Sequence, residues 1–367
     1  QEMDKIEGIE YKKLKDLTDI QFGNRVIKSK VAVKDDYDGI KYPCYGGGNI
    51  SFYTKDYNRD GQNLVISRFG ISEKCVRIIK GKFYLNDSGF TLKSNNKILH
   101  QRYLEFYTLN CLQNKIYDLS KGACQKNINI EDFNNLEIPV PSLKVQKNIV
   151  ERLDVINDNT QTLKTNIEQF KKMLKYYVDA HTRHEKKEKL EKYINSIKTG
   201  KNKPKDNKKG TLYPYYGTNG ITGHTDEYLF EGKYILTPRN GTIGLVFKVN
   251  SKFYPSDHVF VIENKSTINY DYLYYYIKTC VDLDSKKHGS TIPNITKKDI
   301  SESNIKIPSL EKQKEIVSYC DNLSGMISSM ENQITENEKL MKDTMNMFMK
   351  SFSKSKKSPL IFDGRNI

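Results

Sequence analysis

The chain has 367 residues, with 60 Lys and Arg against 45 Asp and Glu, for a formal net charge of +15. That length exceeds one ordinary core and favours two domains, while 25 Tyr and 15 Phe exclude a wholly disordered chain. The cationic excess attracts polyanions and is a footprint of nucleic-acid binding, although an AT-rich genome also encodes abundant Lys, Asn, Ile and Tyr.

From the N-terminus, QEMDKIEGIE lacks the regions of a signal peptide and no later run is long and apolar enough for a membrane span, so a cytoplasmic protein is expected. Short β-branched and aromatic runs punctuated by Gly, Asn and Asp, such as NLVISRF at 63–69, predict strands, and RYLEFYTLN at 102–110 fits a short helix. At Pro141 the pattern changes. The proline ends a strand, Ser142 is the expected N-cap, and Ile149, Leu153, Ile156, Thr160, Leu163, Ile167, Phe170, Leu174 and Tyr177 follow in alternating steps of four and three, a coiled-coil seam. The run KTGKNKPKDNKKG at 198–210 reads as a solvated loop or a phosphate track.

The second half repeats the first. PSLKVQKNIV from Pro141 and PSLEKQKEIV from Pro308 share seven of ten letters at a separation of 308 − 141 = 167 residues. Upstream, KYPCYGG lies over LYPYYGT, LVISRFG over ILTPRNG, GKFYLNDSGF over SKFYPSDHVF, and KGACQKNINIEDFNNLEIPVPSL over HGSTIPNITKKDISESNIKIPSL. The offset drifts only from 171 (Arg68 to Arg239) to 167 (Gly122 to Gly289), so the chain is a tandem duplication. KYILTPR, LVFKV and HVFVI predict strands and YDYLYYYIK a helix. A second seam follows, with Ile316, Cys320, Leu323, Ile327, Met330, Ile334, Asn337, Met341, Thr344 and Phe348, and Ser309 as N-cap. Polar Asn337 and Thr344 weaken that seam, and a buried Asn often sets register.

The expected fold is α+β: two domains in tandem, separated by two long antiparallel coiled-coil helices about a pseudo-two-fold. The boundaries are 1–142 for the first domain, 143–187 for its helix, 188–309 for the second domain, 310–352 for its helix and 353–367 for a tail. Some 35 helical residues at a rise of roughly 1.5 Å give a spacer of about 50 Å. Two unlike heads held apart in opposite senses suit two unlike half-sites on DNA.

The second half, YPYYGTNGITGHTDEYLFEGKYILTPRNGTIGLVF with KFYPSDH and HGSTIPNITKKDI, resembles a target-recognition domain of the specificity subunits of type I restriction-modification systems. The PSL-x-x-Q-K phrase and its heptads resemble that family's spacer helices. The first half departs from the pattern, with NDS for SDH and GACQKNI for GSTIPNI. The resemblance implies a subunit without chemistry that binds double-stranded DNA at a bipartite asymmetric target. It also implies docking of two adenine-N6 methyltransferase subunits, with an ATP-dependent restriction (translocase) subunit as a further partner. No cofactor is expected in this chain; S-adenosylmethionine, ATP and Mg would belong to the partners.

Candidate DNA contacts follow from residue type and place. Arg68 and Arg239 close strand-like runs beside Gly70 and Gly241, and can pair with guanine, clamp phosphate or form structural ion pairs. Asn219, Asn240 and Thr242 lie in Gly-rich loops where an amide can read adenine or simply shape a turn. Lys82 and Lys252 are candidates for phosphate contact, and Tyr216, like Tyr45, for DNA or core packing. HGSTIPNI at 288–295 offers Ser290, Thr291 and Asn294 as small donors and acceptors. His258 has no nucleophile beside it and reads as a hydrogen-bonded structural residue, while His181 and His184 lack the further ligands of a metal site. Gln146, Lys147, Gln313 and Lys314 recur in both phrases as outward docking residues, although helix capping would produce the same recurrence.

Among enzyme signatures, no N/D-P-P-Y/F motif or P-loop occurs, and Gly46-Gly47-Gly48 lacks the following helix of a nucleotide cradle. Cys44, Cys75, Cys111, Cys124, Cys280 and Cys320 form no C-x-x-C pair and read as reduced thiols. The alternatives are a specificity subunit of a type IIB-like system, an orphan decoy that sequesters methyltransferases, and a coiled-coil adaptor that does not bind DNA.

Overall fold

The computed structural model describes residues 6–32, 39–69, 74–95, 97–121, 127–203, 210–289 and 293–354. The chain forms two compact units, Gln1–Thr162 with Gln333–Ile367, and Leu163–Asn332. The division falls inside both long helices, Leu143–His181 and Leu310–Ser351, rather than at the ends of the heads.

The second unit holds a six-stranded sheet. Its strands lie side by side in the order Ile194–Thr199, Val259–Asn264, Phe230–Pro238, Phe247–Pro255, Tyr213–Gly217 and Gly220–Thr225. All contacts are antiparallel except Tyr215 to Tyr254 and Tyr216 to Pro255. Leu236, Val249, Phe253, Val259 and Val261 form its core. The helix Tyr270–Cys280 buries Tyr272, Leu273 and Tyr275.

The first unit uses the same order with one interruption. Thr18–Phe22, Gly89–Ser94, Asn63–Ser67 and Val76–Ile79 form one sheet, and Tyr84–Leu85, Tyr42–Tyr45 and Ile50–Thr54 another. Where the second unit has one continuous strand, Phe247–Pro255, the first has two pieces separated by a turn. Gly81 makes that turn at φ +87°, a conformation that costs glycine no steric penalty, and donates its N–H to Gly61 O at 3.0 Å.

The seams form in part as their spacing predicts: Ile156, Phe170, Tyr177, Met330, Ile334, Asn337, Met341 and Thr344 are only half-buried, and Val178 and Met345, off the expected steps, are fully buried. Ile149, Leu153, Leu163, Ile167 and Leu174 are buried along the first long helix, and Ile316, Cys320, Leu323, Ile327 and Phe348 along the second. In the first unit Arg152 lies over Phe348 and Asn337 donates to Thr160 Oγ1 at 3.2 Å, so the helix segments there run antiparallel. In the second unit Tyr177 stacks on Tyr319 with centroids 3.7 Å apart. The first long helix ends at His181, short of 187, because Lys187–Lys189 pairs antiparallel with Asn304–Lys306. The equivalent pairing in the first unit joins Ile6–Lys13 to Glu137–Val140. Ile6–Lys13 also pairs in parallel with Phe352–Lys354, so the start of the expected tail is a strand.

Gln146 and Gln313 correct the sequence reading. They are 0% and 1% exposed, so neither is an outward docking residue. Gln146 donates to Pro141 O and Ile98 O, both at 2.7 Å, and accepts from His100 N at 2.8 Å. Gln313 donates to Pro308 O at 2.8 Å and accepts from Asn269 N at 2.9 Å. His100 and Asn269 are the N-cap residues of each head's helix. Each glutamine therefore welds a long helix to a head by satisfying backbone groups that have no water to turn to. Ser142 and Ser309 cap the same turns, accepting from Val145 N and Lys312 N. Lys147 and Lys314 are exposed.

Candidate nucleic-acid interface

In the second unit four segments meet at one edge of the sheet. The hairpin Tyr213–Thr225 turns at Thr218 and Asn219, since Gly217 pairs with Gly220. Asn219 Oδ1 accepts from Thr242 Oγ1 at 2.7 Å, which ties that tip to the loop after Phe230–Pro238. In that loop Arg239 N donates to His258 O at 2.9 Å, and Asn240 Nδ2 lies 2.9 Å from His258 Nδ1. Asn294 bridges Asn240 on one side and His288 on the other. Arg239, Asn219, Thr242, His258 and Asn294 are all exposed. The arrangement is a row of amide, hydroxyl, imidazole and guanidinium groups on a rigid frame, the donor and acceptor chemistry that groove recognition uses.

The edge can form because glycine allows a close approach. A Cβ on Gly200 would lie 2.1 Å from Pro255 O and 2.3 Å from Ser256 O, beneath the turn that carries His258. Gly23 holds the same place in the first unit, where a Cβ would lie 1.8 Å from Asn86 O.

The first unit repeats this backbone with other side chains. Arg68 N donates to Ser88 O at 2.7 Å and Arg68 O accepts from Ile128 N, as Arg239 does with His258 and Ile295. Phe69 bridges Asn127 where Asn240 bridges Asn294. The guanidinium of Arg68 lies over Phe69 at 4.7 Å and over Phe22 at 5.1 Å, with Nε buried and, among the described residues, without a hydrogen-bond partner. Phe22 is 43% exposed. Arg77 braces the neighbouring loop by donating to Gly46 O at 2.7 Å and to Gly48 O, and burial lowers its pKa.

Not all candidates reach these edges. Lys252 lies over Tyr228 and 3.8 Å from Glu231, the neighbour that raises its pKa most. It pairs with the start of Phe230–Pro238, eight residues or roughly 26 Å of strand from Arg239. Lys82 lies over Tyr57, whose hydrogen bond is the largest cause of its raised pKa. Tyr216 is a packing residue, edge-on to Phe253 as Tyr45 is to Phe83. Ser290 and Thr291 lie outside the described residues.

A cleft of about 820 Å³ adjoins the second edge, with Asn219, Tyr216, Lys171, Lys175, Lys248 and Lys278 among its lining. Lys248 is held by Asp271 at 2.7 Å. Among the described residues no acidic, His or Cys cluster could hold a metal ion, and no helix is long and apolar enough to cross a membrane. Burial pushes the Cys44 and Cys75 thiols up to about 11 and Cys320 to about 12, so these are poor nucleophiles.

Sequence reasoning read His258 as a hydrogen-bonded structural histidine, which its bond to Asn240 bears out, but did not place it at this edge, and it passed over Phe22, Gly23 and Gly200. His258 had a signal, because it aligns with Ser88 inside the repeat. The glycines did not, because their separation is 200 − 23 = 177, outside the drift seen elsewhere.

A protein of Mycoplasma pneumoniae described as a type I specificity subunit is 25% identical over 331 residues, covering 85% of this chain and 88% of that protein. The specificity subunit of the EcoKI type I restriction enzyme of Escherichia coli is 24% identical over 296 residues, covering 65% and 61%. The crystal structure of the type I S subunit from M. genitalium superposes with a TM-score of 0.52 at 20% identity, covering 96% of this chain and all of that one, and so shares its fold. Residues 6–172 and 187–339 each match the type I restriction modification DNA specificity domain, and the chain therefore belongs to the family of type I restriction-modification specificity subunits, whose task is recognition of a DNA target.

Proposed function

We propose that the two heads read the two unlike halves of a bipartite, asymmetric DNA target, and that the chain docks two adenine-N6 methyltransferase subunits, one on each repeat. The observation that carries this reading is one backbone frame bearing two different edges: Arg68, Phe69 and Ser88 in the first head, Arg239, Asn240 and His258 in the second. Matching backbone hydrogen bonds around the two arginines suit the same task, and different side chains at the same places suit different bases. Duplication likewise supplies two equivalent seats for two copies of one partner. Lys147 and Lys314 stand exposed one residue beyond each glutamine weld and are the docking residues retained from the repeated phrase. The chain itself carries no chemistry in this reading; S-adenosylmethionine would be bound by the methyltransferases, and ATP and Mg by a restriction subunit.

The test is to map N6-methyladenine in a host expressing the chain with its methyltransferase. One bipartite motif with unlike halves is expected. Methylation that ignores sequence would sink the reading, as would duplex binding that does not weaken when salt is raised, since phosphate contacts release counterions. Absence of duplex binding even at low salt would instead favour a coiled-coil adaptor.

A further inference from the structure

We propose that Asn240 reads an adenine in the second head's half-site and that His258 is the positioning residue that fixes which edge of the amide faces the base. This rests on the reading of the two heads above. Asn240 Nδ2 lies 2.9 Å from His258 Nδ1, so one amide N–H donates to the ring nitrogen. A side-chain amide has two N–H donors and one carbonyl acceptor. With one donor committed to His258, the amide keeps one donor and one acceptor. Adenine in the major groove presents the complement, an N6–H donor beside the N7 acceptor, whereas guanine presents two acceptors, N7 and O6. The committed N–H thus turns a general polar contact into a choice of adenine over guanine.

The frame holds the pair in place. His258 N donates to Ser256 Oγ at 3.2 Å, His258 O accepts from Arg239 N, and Val259 N donates to Ser256 O at 3.0 Å. Ser256 is 4% exposed, so the turn is anchored inside the head while the imidazole stands at the surface, 54% exposed. Asp257 Oδ1 is 3.9 Å from Nε2, on the side where the ring carries its proton when Nδ1 accepts. The first head has Phe69 and Ser88 at these positions and cannot form the pair.

The experiment selects targets from a randomised duplex pool with the full-length wild type and with Asn240→Ala, His258→Ala and His258→Asn, whose Oδ1 falls where Nδ1 lies. The wild type is expected to enrich adenine over guanine at one position of one half-site. Asn240→Ala and His258→Ala lose that preference by roughly 5- to 150-fold, the worth of a bidentate base contact, and leave the other half-site unchanged. His258→Asn restores it. In the wild type, replacing N7 of that adenine by C–H costs binding at that position alone. Uniform weakening across all sequences in His258→Ala, or an adenine preference that survives Asn240→Ala, overturns the assignment while leaving the two-head reading intact. A wild type that enriches no sequence overturns both.

Discussion

The two heads are the instructive pair. Around Arg68 and Arg239 the main chain makes the same hydrogen bonds to Ser88 and Ile128 or to His258 and Ile295, and each guanidinium lies over an aromatic ring, Arg239 over Phe260 at 5.8 Å, yet the neighbouring side chains differ. The first places a guanidinium against Phe22 and Phe69. The second presents Asn240, His258, Thr242 and Asn219 joined by side-chain hydrogen bonds. Duplication fixed the frame, because glycine approaches and backbone bonds leave no slack. Divergence acted on side chains that point away from the frame, where most substitutions cost little stability.

The strongest way to break the comparison is to attack the shared frame. Gly200→Ala forces a Cβ against the Pro255 and Ser256 carbonyls, and Gly23→Ala does the same at Asn86. Backbone atoms cannot rotate aside as a side chain can, so each change should cost roughly 3 kcal/mol or more. Urea unfolding with hydrogen exchange as readout should show the loss in the substituted unit, and unchanged stability would show that the frame is softer than described.

The glutamine welds come next. Gln146→Ala or Gln313→Ala leaves buried backbone groups at 141, 98 and 100, or at 308 and 269, without their partner. Each should cost about 2–3 kcal/mol, the usual penalty for orphaned buried polar groups. A surface docking residue would instead leave stability unchanged and weaken only partner association, so calorimetry of the isolated chain separates the two roles.

A smaller effect should sharpen the contrast between the helix segments. Thr160 and Asn337 form a polar contact in the first unit, and the residues equivalent to them by the repeat are Ile327 and Phe170. Exchanging both at once, Thr160→Ile with Asn337→Phe, removes the two polar groups together and should stabilise the chain by up to about 1 kcal/mol. Marked destabilisation would show that the polar pair is needed for packing as well as register.

Much of this was legible in the amino-acid order. The heptad steps exposed the seams because burial on a helix has a fixed period, and the repeated phrase exposed the duplication. The welds were visible as a recurrence but not as a mechanism. A glutamine beside a lysine reads as surface, and only the tertiary approach of His100 N or Asn269 N shows it to be interior. The strand break at Gly81 and the helix stop at His181 depend on pairings across the chain, with Gly61 and with Asn304–Lys306, which local pattern does not encode. Of the candidate contacts, Arg239, Asn240, Thr242, Asn219 and Asn294 converge on one edge, whereas Lys82 and Lys252 lie on tyrosine faces.

The most direct test compares the methylated motifs of cells carrying Arg68→Ala and Asn240→Ala, each co-expressed with the methyltransferase. Two independent readers predict a double dissociation, with one half of the motif relaxed by the first substitution and only the other half by the second. Relaxation of the same half by both, or equal loss across every position, would contradict the account.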